Sequence, residues 1–208
     1  MEVLDVAGET AEDDAVARAV AALDAGGLLI YPTDTLYALG GRGLDAAAGR
    51  KVRAAKGRDA RPLPLIAADL EQVLGLAADV PAPAVLLAER FWPGPITIIL
   101  ASRRGVPDEV TAGTATVAVR VPGLAFARRL CREAGALIST SANLTGAAPP
   151  STCAEAVAGV GAAAALALDA GPGRPTASTI VDLTGPAPRL VRSGAVPWPE
   201  VLAALQAG

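Results

Sequence analysis

The fold class follows from residues 116–143, TVAVRVPGLAFARRLCREAGALISTSAN. Valine occupies every second position from 117 to 121, with Ala118 and Arg120 between, and this period of two is typical of a β-strand. A helix is predicted over residues 124–134, and residues 136–140 are predicted to form a second strand. A strand, a helix and a strand in succession indicate an α/β fold in which Arg120 projects from a sheet.

Strands and helices alternate through the rest of the chain. Further helices are predicted over residues 10–23, 45–56, 83–91, 152–160 and 199–206, and further strands over 28–31, 63–67, 96–101, 166–169, 178–183 and 189–192. Pro64 places the strand 63–67 near the edge of a sheet, because proline cannot donate to a ladder. The hairpin-length gap between Ile180 and Arg189 predicts an antiparallel pair, so the sheet is expected to be mixed. No boundary divides residues 1–208, and we expect one domain.

Composition excludes several classes of protein. The 208 residues are 52% hydrophobic but only 3% aromatic, so we expect a core of valine, leucine, isoleucine and alanine. No apolar run approaches the roughly 20 residues of a membrane helix, and the acidic N-terminus lacks the basic region of a signal peptide. Cys131 and Cys153 are therefore expected to be free, buried thiols in a cytoplasmic protein.

The chain contains no histidine. Ser-His-Asp and Cys-His catalysis and the HExxH zinc site are therefore excluded, and two cysteines alone cannot close a zinc site. The net charge of −3 argues against a general nucleic-acid binder. The remaining chemistry must depend on charge, hydrogen bonds and positioning, as phosphoryl and nucleotidyl transfers do.

Two polar clusters are candidates for a binding site. KGR at residues 56–58 ends a basic run over residues 50–61, and STSAN at residues 139–143 leaves an apolar strand. A solvated helix face would also explain the first cluster, and an ordinary loop the second. Together, two cations and a set of hydroxyl and amide groups suit a substrate that carries both carboxylate and phosphate.

Three further segments have both a structural and a functional interpretation. PTDT at residues 32–35 follows a strand, where it forms either a turn or the polar lip of a ligand site. GPGRP at residues 171–175 matches neither a Walker motif nor GxGxxG, and we expect a flap or a tight turn. RSG at residues 192–194 ends the final strand, where a lone arginine is usually a surface residue. By themselves these segments identify no substrate.

Seven segments, in their order along the chain, resemble the threonylcarbamoyl-AMP synthase family, which has the YrdC-like fold. The segments are YPTDTLY (31–37), KGR (56–58), FWPGPIT (91–97), VAVRVP (117–122), STSAN (139–143) with TG (145–146), STI (178–180) and RSG (192–194). The resemblance spans residues 28–194, and its signature is the pairing of Lys-x-Arg with Ser-x-Asn.

The resemblance implies a nucleotidyltransferase that joins L-threonine, bicarbonate and ATP into L-threonylcarbamoyl-AMP and pyrophosphate. It implies a twisted mixed sheet with flanking helices around a positively lined cavity. The threonine carbamate is itself the nucleophile, which suits a chain without histidine. Mg²⁺ is expected to arrive with ATP. The chain resembles the short form of the family, whose product is expected to pass to a separate transferase complex for N6-threonylcarbamoyladenosine formation in tRNA.

The resemblance also assigns roles to residues. L-threonine is expected to bind at Thr35, Arg120, Ser141 and Ser178. ATP is expected to bind at Lys56, Arg58, Thr116, Asn143, Ser151 and Arg192, and Lys56 is expected to face the carbamate or the phosphates. The catalytic set is Lys56, Arg58, Ser141 and Asn143, and no residue is assigned to a metal.

Four residues depart from the family pattern. Ala38 replaces a glycine after the motif tyrosine, and Asp59 replaces a proline after Lys-x-Arg. Arg61 stands near a position that is usually Asn or Lys, and Ile66 falls where some members have histidine. These changes affect the ATP and threonine contacts expected from residues 59–66.

Three other functions compete with the synthase. A YrdC-like module could bind double-stranded RNA or tRNA through the basic run, although the net charge and the scarcity of aromatic residues oppose it. A carbamoyl-transfer enzyme would require additional domains, and a sugar or nucleotide kinase would require a P-loop. Salt-sensitive RNA binding without ATP turnover would distinguish the RNA-binding module from the synthase.

Overall fold

The computed structural model describes residues 1–57, 61–173 and 176–206. The strands are β1 (Glu2–Asp5), β2 (Leu29–Tyr31), β3 (Ala38–Gly40), β4 (Leu65–Ile66), β5 (Ile96–Ala101), β6 (Thr116–Arg120), β7 (Leu137–Ile138), β8 (Thr140–Ser141), β9 (Leu166–Asp169), β10 (Thr179–Asp182) and β11 (Arg189–Arg192). The helices are α1 (Glu9–Asp24), α2 (Ala46–Lys56), α3 (Leu70–Leu76), α4 (Ala82–Phe91), α5 (Asp108–Thr111), α6 (Ala125–Ala134), α7 (Cys153–Val160) and α8 (Trp198–Gln206). None of the helices in these ranges is long and apolar enough to cross a membrane.

The described strands form two mixed sheets. One sheet has the order β1-β9-β2-β3-β8, and the other has the order β11-β10-β5-β6-β4-β7. In the first sheet β9 is parallel to β1 and β2, and β3 is antiparallel to β2 and β8. In the second sheet β5 is parallel to β10 and antiparallel to β6, and β11 is antiparallel to β10 as the hairpin-length gap predicts. The predicted mixed α/β architecture is confirmed, with the strands divided between two sheets.

Two strand predictions were wrong in detail. Residues 136–140, predicted as one strand, belong to two, because β7 pairs with β4 in one sheet and β8 pairs with β3 in the other. The chain changes sheets at Ser139, whose N–H donates to the Pro64 carbonyl oxygen at 2.8 Å. The strand predicted near an edge, β4, lies between β6 and β7. Pro64 precedes β4, so its missing N–H falls outside the ladder.

Helix ends follow local sequence signals. Asp45 caps α2 by accepting from the Ala47 N–H at 2.8 Å, and Gly57 ends the helix in the left-handed conformation with φ 58°. Glycine is the residue that most readily adopts that conformation, because it has no Cβ. Thr152 and Glu155 form the predicted capping box at the start of α7, each side chain accepting from the other residue's N–H at 3.2 Å.

The segment around β2 is buried on both faces. Leu28 and Ile30 pack with residues of α2, β5 and β6 in one apolar cluster. Leu29 and Tyr31 pack with residues of α1 and α6 in a second cluster. A strand covered on both faces requires a continuous apolar run rather than an alternating one, which explains the sequence LLIY.

Cys131 and Cys153 are free and buried, as predicted. Burial raises the pKa of the Cys131 thiol to about 12 and that of the Cys153 thiol to about 11. Both thiols are therefore protonated and unreactive at neutral pH.

Candidate active site

A cavity of about 510 Å³ lies where the two sheets meet. Residues of β3 and β8 line it from the five-stranded sheet, and residues of β4, β5, β6, β10 and β11 line it from the six-stranded sheet. The change of sheet at Ser139 places that residue and its neighbours in the wall. The volume lies in the range of small-molecule sites, roughly 300 to 1,000 Å³. We call this space the central cavity.

The described lining of the central cavity is positively charged. Arg61, Arg120 and Arg192 line it, and none of its described lining residues is Asp or Glu. Arginine binds carboxylate and phosphate groups through paired N–H donors. The central cavity therefore favours anionic ligands.

Arg120 is held by two neighbouring residues of the loop after β2. Its Nη1 donates to Asp34 Oδ1 at 2.7 Å, and its Nη2 donates to Thr35 Oγ1 at 3.2 Å. Arg120 and Thr35 are each 5% exposed and both line the central cavity. The loop therefore fixes one side of the guanidinium at the end of β6.

Ser178 joins the cavity wall through side chains of two other strands. Its Oγ lies 2.8 Å from Thr97 Oγ1 on β5 and accepts from Arg192 Nη2 at 3.0 Å. Arg192 also donates from Nη2 to the Ser178 carbonyl oxygen at 2.8 Å. Gly194 must be glycine, because a Cβ there would lie 2.4 Å from the Ser178 carbonyl carbon. The RSG segment is therefore held against Ser178 by the Arg192 hydrogen bonds and by close packing at Gly194.

All four residues predicted to bind threonine line the central cavity. Ser141 lies on β8 opposite Ala38, and Thr35, Arg120 and Ser178 lie on the loop after β2, at the end of β6 and just before β10. These residues are separated by up to 143 positions in sequence (178 − 35), yet one cavity collects them. The four residues that the family resemblance groups together are therefore also close together in space.

Lys56 lies beneath the Ser-x-Asn turn. Its residue exposure is 4%, and its Nζ donates to the Ser141 carbonyl oxygen at 2.5 Å and to the Asn143 carbonyl oxygen at 2.6 Å. The Asn143 Oδ1 is a further 3.5 Å contact. The last residue of α2 therefore fixes the backbone of the turn that carries both predicted polar side chains.

Two predicted ATP residues line a second space, which we call the side hollow. It has a volume of about 380 Å³, and its lining includes Asn143 and Ser151. Pro149 lines both the side hollow and the central cavity, so the two spaces are neighbours. Ser151 Oγ donates to Glu155 Oε2 at 2.9 Å, which places the hydroxyl at the start of α7.

Thr116, another predicted ATP residue, lies at the far end of β6 from Arg120. Thr116 shares the cavity-facing side of β6 with Ala118 and Arg120, because side chains alternate along a strand. Four residues of strand place Thr116 about 13 Å from Arg120. Its Oγ1 lies 2.8 Å from Thr114 Oγ1. Arg58 lies outside the described residues.

Three of the four departures from the family pattern line the central cavity, namely Ala38, Arg61 and Ile66. Asp59 lies outside the described residues. Ala38 belongs to β3 and has no positive φ, so alanine fits the backbone in place of glycine. Ile66 is 1% exposed and gives the wall an apolar patch.

Tyr37 anchors the segment 171–173 against the cavity wall. Its hydroxyl lies 2.6 Å from the Gly171 carbonyl oxygen and 2.9 Å from Asp169 Oδ1. Burial, together with the Asp169 carboxylate, raises the pKa of this hydroxyl, so Tyr37 stays neutral. Gly173 N–H donates to the Ser151 carbonyl oxygen at 2.7 Å. The described part of this segment is therefore held by hydrogen bonds. Residues 174–175 lie outside the described ranges, so the expectation of a flap or a tight turn over residues 171–175 stays a prediction.

Three residues that support the cavity wall were assigned no individual role from the sequence. Asp34 holds Arg120, Thr97 contacts Ser178, and Thr33 Oγ1 lies 3.0 Å from Thr35 Oγ1. Asp34 gave no distinctive signal, because an aspartate in a loop after a strand is an ordinary turn residue. Thr97 gave none either, since a threonine in a β-branched strand is ordinary.

The family model for Sua5, YciO and YrdC proteins, described as "Telomere recombination", matches residues 21–194. The chain belongs to the Sua5/YciO/YrdC family. A Pyrococcus abyssi protein named threonylcarbamoyl-AMP synthase is 37% identical over 179 residues, covering 85% of this chain and 53% of that protein. A Mycobacterium tuberculosis relative is 34% identical over 197 residues, covering 94% of this chain and 91% of that protein.

Solved structures of Sua5/YciO/YrdC proteins share the fold. The crystal structure of P. abyssi Sua5 complexed with L-threonine has a TM-score of 0.94 at 33% identity. That match covers 98% of this chain and 61% of the Sua5 chain. The chain therefore spans about three fifths of that Sua5 structure. The resemblance inferred from seven short segments is confirmed.

Proposed function

We propose that the chain is an L-threonylcarbamoyl-AMP synthase, a nucleotidyltransferase that uses L-threonine, bicarbonate and ATP. The observation that carries the proposal is the central cavity, which collects Thr35, Arg120, Ser141 and Ser178 beside Arg192. Family membership supports the same reaction, because relatives at 34–37% identity include an enzyme of that name. The catalytic function is therefore favoured over the RNA-binding module.

Threonine is proposed to bind at the Arg120 end of the central cavity. Arg120 offers a fixed guanidinium to the carboxylate, which is the geometry that arginine recognises best. The hydroxyls of Thr35, Ser141 and Ser178 are small donors and acceptors that suit the amino and hydroxyl groups of the substrate.

ATP is proposed to extend from the central cavity into the side hollow. Arg192 lines the central cavity at the phosphate end, while Asn143 and Ser151 line the side hollow. Thr116 extends the same face along β6, and Arg58 is proposed to supply the second cation of the KGR segment. Lys56 is proposed to act on the carbamate or phosphates through the electrostatic field of its buried charge and through the turn that it holds.

The reaction needs no protein nucleophile. Carbon dioxide from bicarbonate adds to the threonine amine, and the amine loses a proton to give the carbamate. A carbamate oxygen then forms a bond to the α-phosphorus of ATP, while the bond from that phosphorus to the bridging oxygen breaks and pyrophosphate leaves. Both reactants are anions, so the positive cavity lowers their mutual repulsion and stabilises the charge that develops on the phosphoryl oxygens.

Mg²⁺ is proposed to enter with ATP. The described lining of the central cavity has hydroxyls and arginines, and no group of three or more His, Cys, Asp or Glu residues that could hold a metal ion is found among the described residues. Mg²⁺ readily keeps several waters and binds substrate phosphates, so ATP would bring most of its ligands. When bound, Mg²⁺ would neutralise phosphate charge, while the cavity residues named above bind and orient threonine and the nucleotide.

The wider pathway is part of the proposal. The mixed anhydride product is reactive, so a cytoplasmic transferase complex is proposed to accept it for N6-threonylcarbamoyladenosine formation in tRNA. Direct contact with tRNA or double-stranded RNA remains a secondary proposal, supported by the basic residues of α2.

Product formation tests the proposed function. The purified protein is incubated with ATP, Mg²⁺, bicarbonate and L-threonine, and threonylcarbamoyl-AMP is measured by mass spectrometry beside pyrophosphate. We expect the adduct only when threonine and bicarbonate are both present. Salt-sensitive RNA binding with no adduct from a protein that still binds ATP would contradict the proposal.

A further inference from the structure

We infer that Asp34 is a positioning residue that sets the affinity for the amino-acid substrate by orienting Arg120. The inference rests on the proposed function, since it concerns the same cavity. It adds a residue that touches neither threonine nor ATP in the proposed binding scheme and yet controls one of the two substrates.

The contacts of Arg120 define what Asp34 does. The carboxylate accepts from Nη1 at 2.7 Å, and Thr35 accepts from Nη2 at 3.2 Å. The guanidinium is planar, so two fixed contacts on adjacent nitrogens set the direction of the whole group. Of these two contacts, the one to the carboxylate is shorter and joins two opposite charges, and is therefore stronger.

Asp34 acts from outside the central cavity. Its side chain is 18% exposed and lines a separate space of about 710 Å³ beside Gly123 and Pro95, while Arg120 lines the central cavity. Thr33 and Thr35 line both spaces, so the loop after β2 forms the wall between them. A ligand in the central cavity therefore meets Arg120, and the effect of Asp34 reaches the ligand through that arginine.

Gly123 leaves the room that the Asp34 carboxylate needs. A Cβ at this position would lie 3.1 Å from Asp34 Oδ2 and 3.2 Å from its Cγ. Gly123 has no positive φ, so alanine would strain the carboxylate rather than the backbone. Gly123→Ala is therefore a way to displace Asp34 without deleting it.

The substitutions at Asp34 separate charge from geometry. Asp34→Ala removes the acceptor and lets the guanidinium turn away from the cavity, whereas Asp34→Asn keeps an oxygen that can accept from Nη1. We expect Asp34→Ala to raise KM for L-threonine about 10- to 100-fold while KM for ATP stays within about twofold. Asp34→Asn should recover most of the threonine affinity, and Gly123→Ala should lie between the two.

Steady-state pyrophosphate release by the full chain is the assay, with each substrate varied in turn. Asp182→Ala is the matched control, because Asp182 accepts from Arg189 at the same 2.7 Å distance on the β10–β11 hairpin. The control should leave both KM values at the wild-type level. Melting temperatures of all variants show whether each one is folded.

A selective rise in KM for threonine, with rescue by Asp34→Asn, supports the inference. An unchanged KM for threonine in Asp34→Ala overturns the inference. If Asp34→Ala does not fold, an unchanged KM for threonine in both Asp34→Asn and Gly123→Ala overturns it. Equal rises for threonine and ATP also overturn it, because they would indicate a general structural role. Turnover of the wild-type protein is measured in the same plates. No turnover by the wild type refutes the proposed function. Normal turnover by the wild type, with an unchanged KM for threonine in the variants, refutes only the role of Asp34.

Discussion

Replacing Lys56 with methionine should destabilise the fold as well as reduce turnover. Methionine keeps the apolar stem but removes the N–H donors, so the carbonyl oxygens of Ser141 and Asn143 lose a buried cation as partner. A hydrogen bond to a charged group contributes about 1.5 to 3 kcal/mol. Two such bonds, with some relaxation of the turn, predict a loss of about 3 to 5 kcal/mol in the free energy of unfolding.

That loss converts into a measurable change in melting temperature. In a chain of this size, 1 kcal/mol lowers the melting temperature by about 2 to 4 °C, so Lys56→Met should melt about 6 to 20 °C below the wild type. Circular dichroism against temperature measures the shift, and urea titration measures the free energy.

Lys51→Met is the matched control for Lys56→Met. Lys51 lies on the same helix and donates to the Gly26 carbonyl oxygen at 2.5 Å, but it is exposed. An exposed acceptor regains water as a partner, so the control should change stability by less than about 0.5 kcal/mol. Equal melting temperatures for Lys56→Met and Lys51→Met would refute the role of Lys56 as a buried support of the turn.

Two further predictions concern the sheet junction and the thiols. Gly40→Ala should prevent folding or lower the melting temperature by more than about 10 °C, because the new Cβ would lie 1.6 Å from the Ile138 carbonyl oxygen. Gly75→Ala is the control, because a Cβ at Gly75 would meet nothing within 4 Å, and a stable Gly40→Ala protein would contradict the packing at Gly40. At pH 8, Cys131 and Cys153 should react with a thiol reagent far more slowly than free cysteine, and their rates should increase as the pH rises towards their raised pKa values of about 12 and 11. Both thiols should react at once in guanidinium chloride, and immediate labelling of the folded protein would refute their burial.

The longer, periodic elements could be predicted from the sequence. The alternation in residues 116–121 and the β-branched run 96–101 correspond to β6 and β5, and α2 begins and ends where its cap residues indicate. Short elements without a period could not be predicted, as with the two-residue strands β7 and β8 and the four-residue helix α5. An apolar run gives no sign of a change of sheet, because the tertiary contact at Ser139 decides it.

The proximity of the four proposed threonine-binding residues was predictable, whereas the contacts around them were not. The family resemblance groups Thr35, Arg120, Ser141 and Ser178, and all four line one cavity. Their binding roles stay predictions. The position of Lys56 could not be predicted, because a lysine at a helix end gives no indication that its ammonium lies under a turn 85 residues away. Charge and spacing identify a cation near a site, but its partners depend on packing.

The proposed binding of both substrates in one cavity is best tested by a crystal structure with L-threonine and a non-hydrolysable ATP analogue. We expect the threonine carboxylate on Arg120, its polar atoms near Thr35 and Ser178, and the triphosphate towards Arg192 and the Ser-x-Asn turn. Threonine bound outside the central cavity, or a triphosphate on the face opposite Arg192, would refute the proposed binding mode.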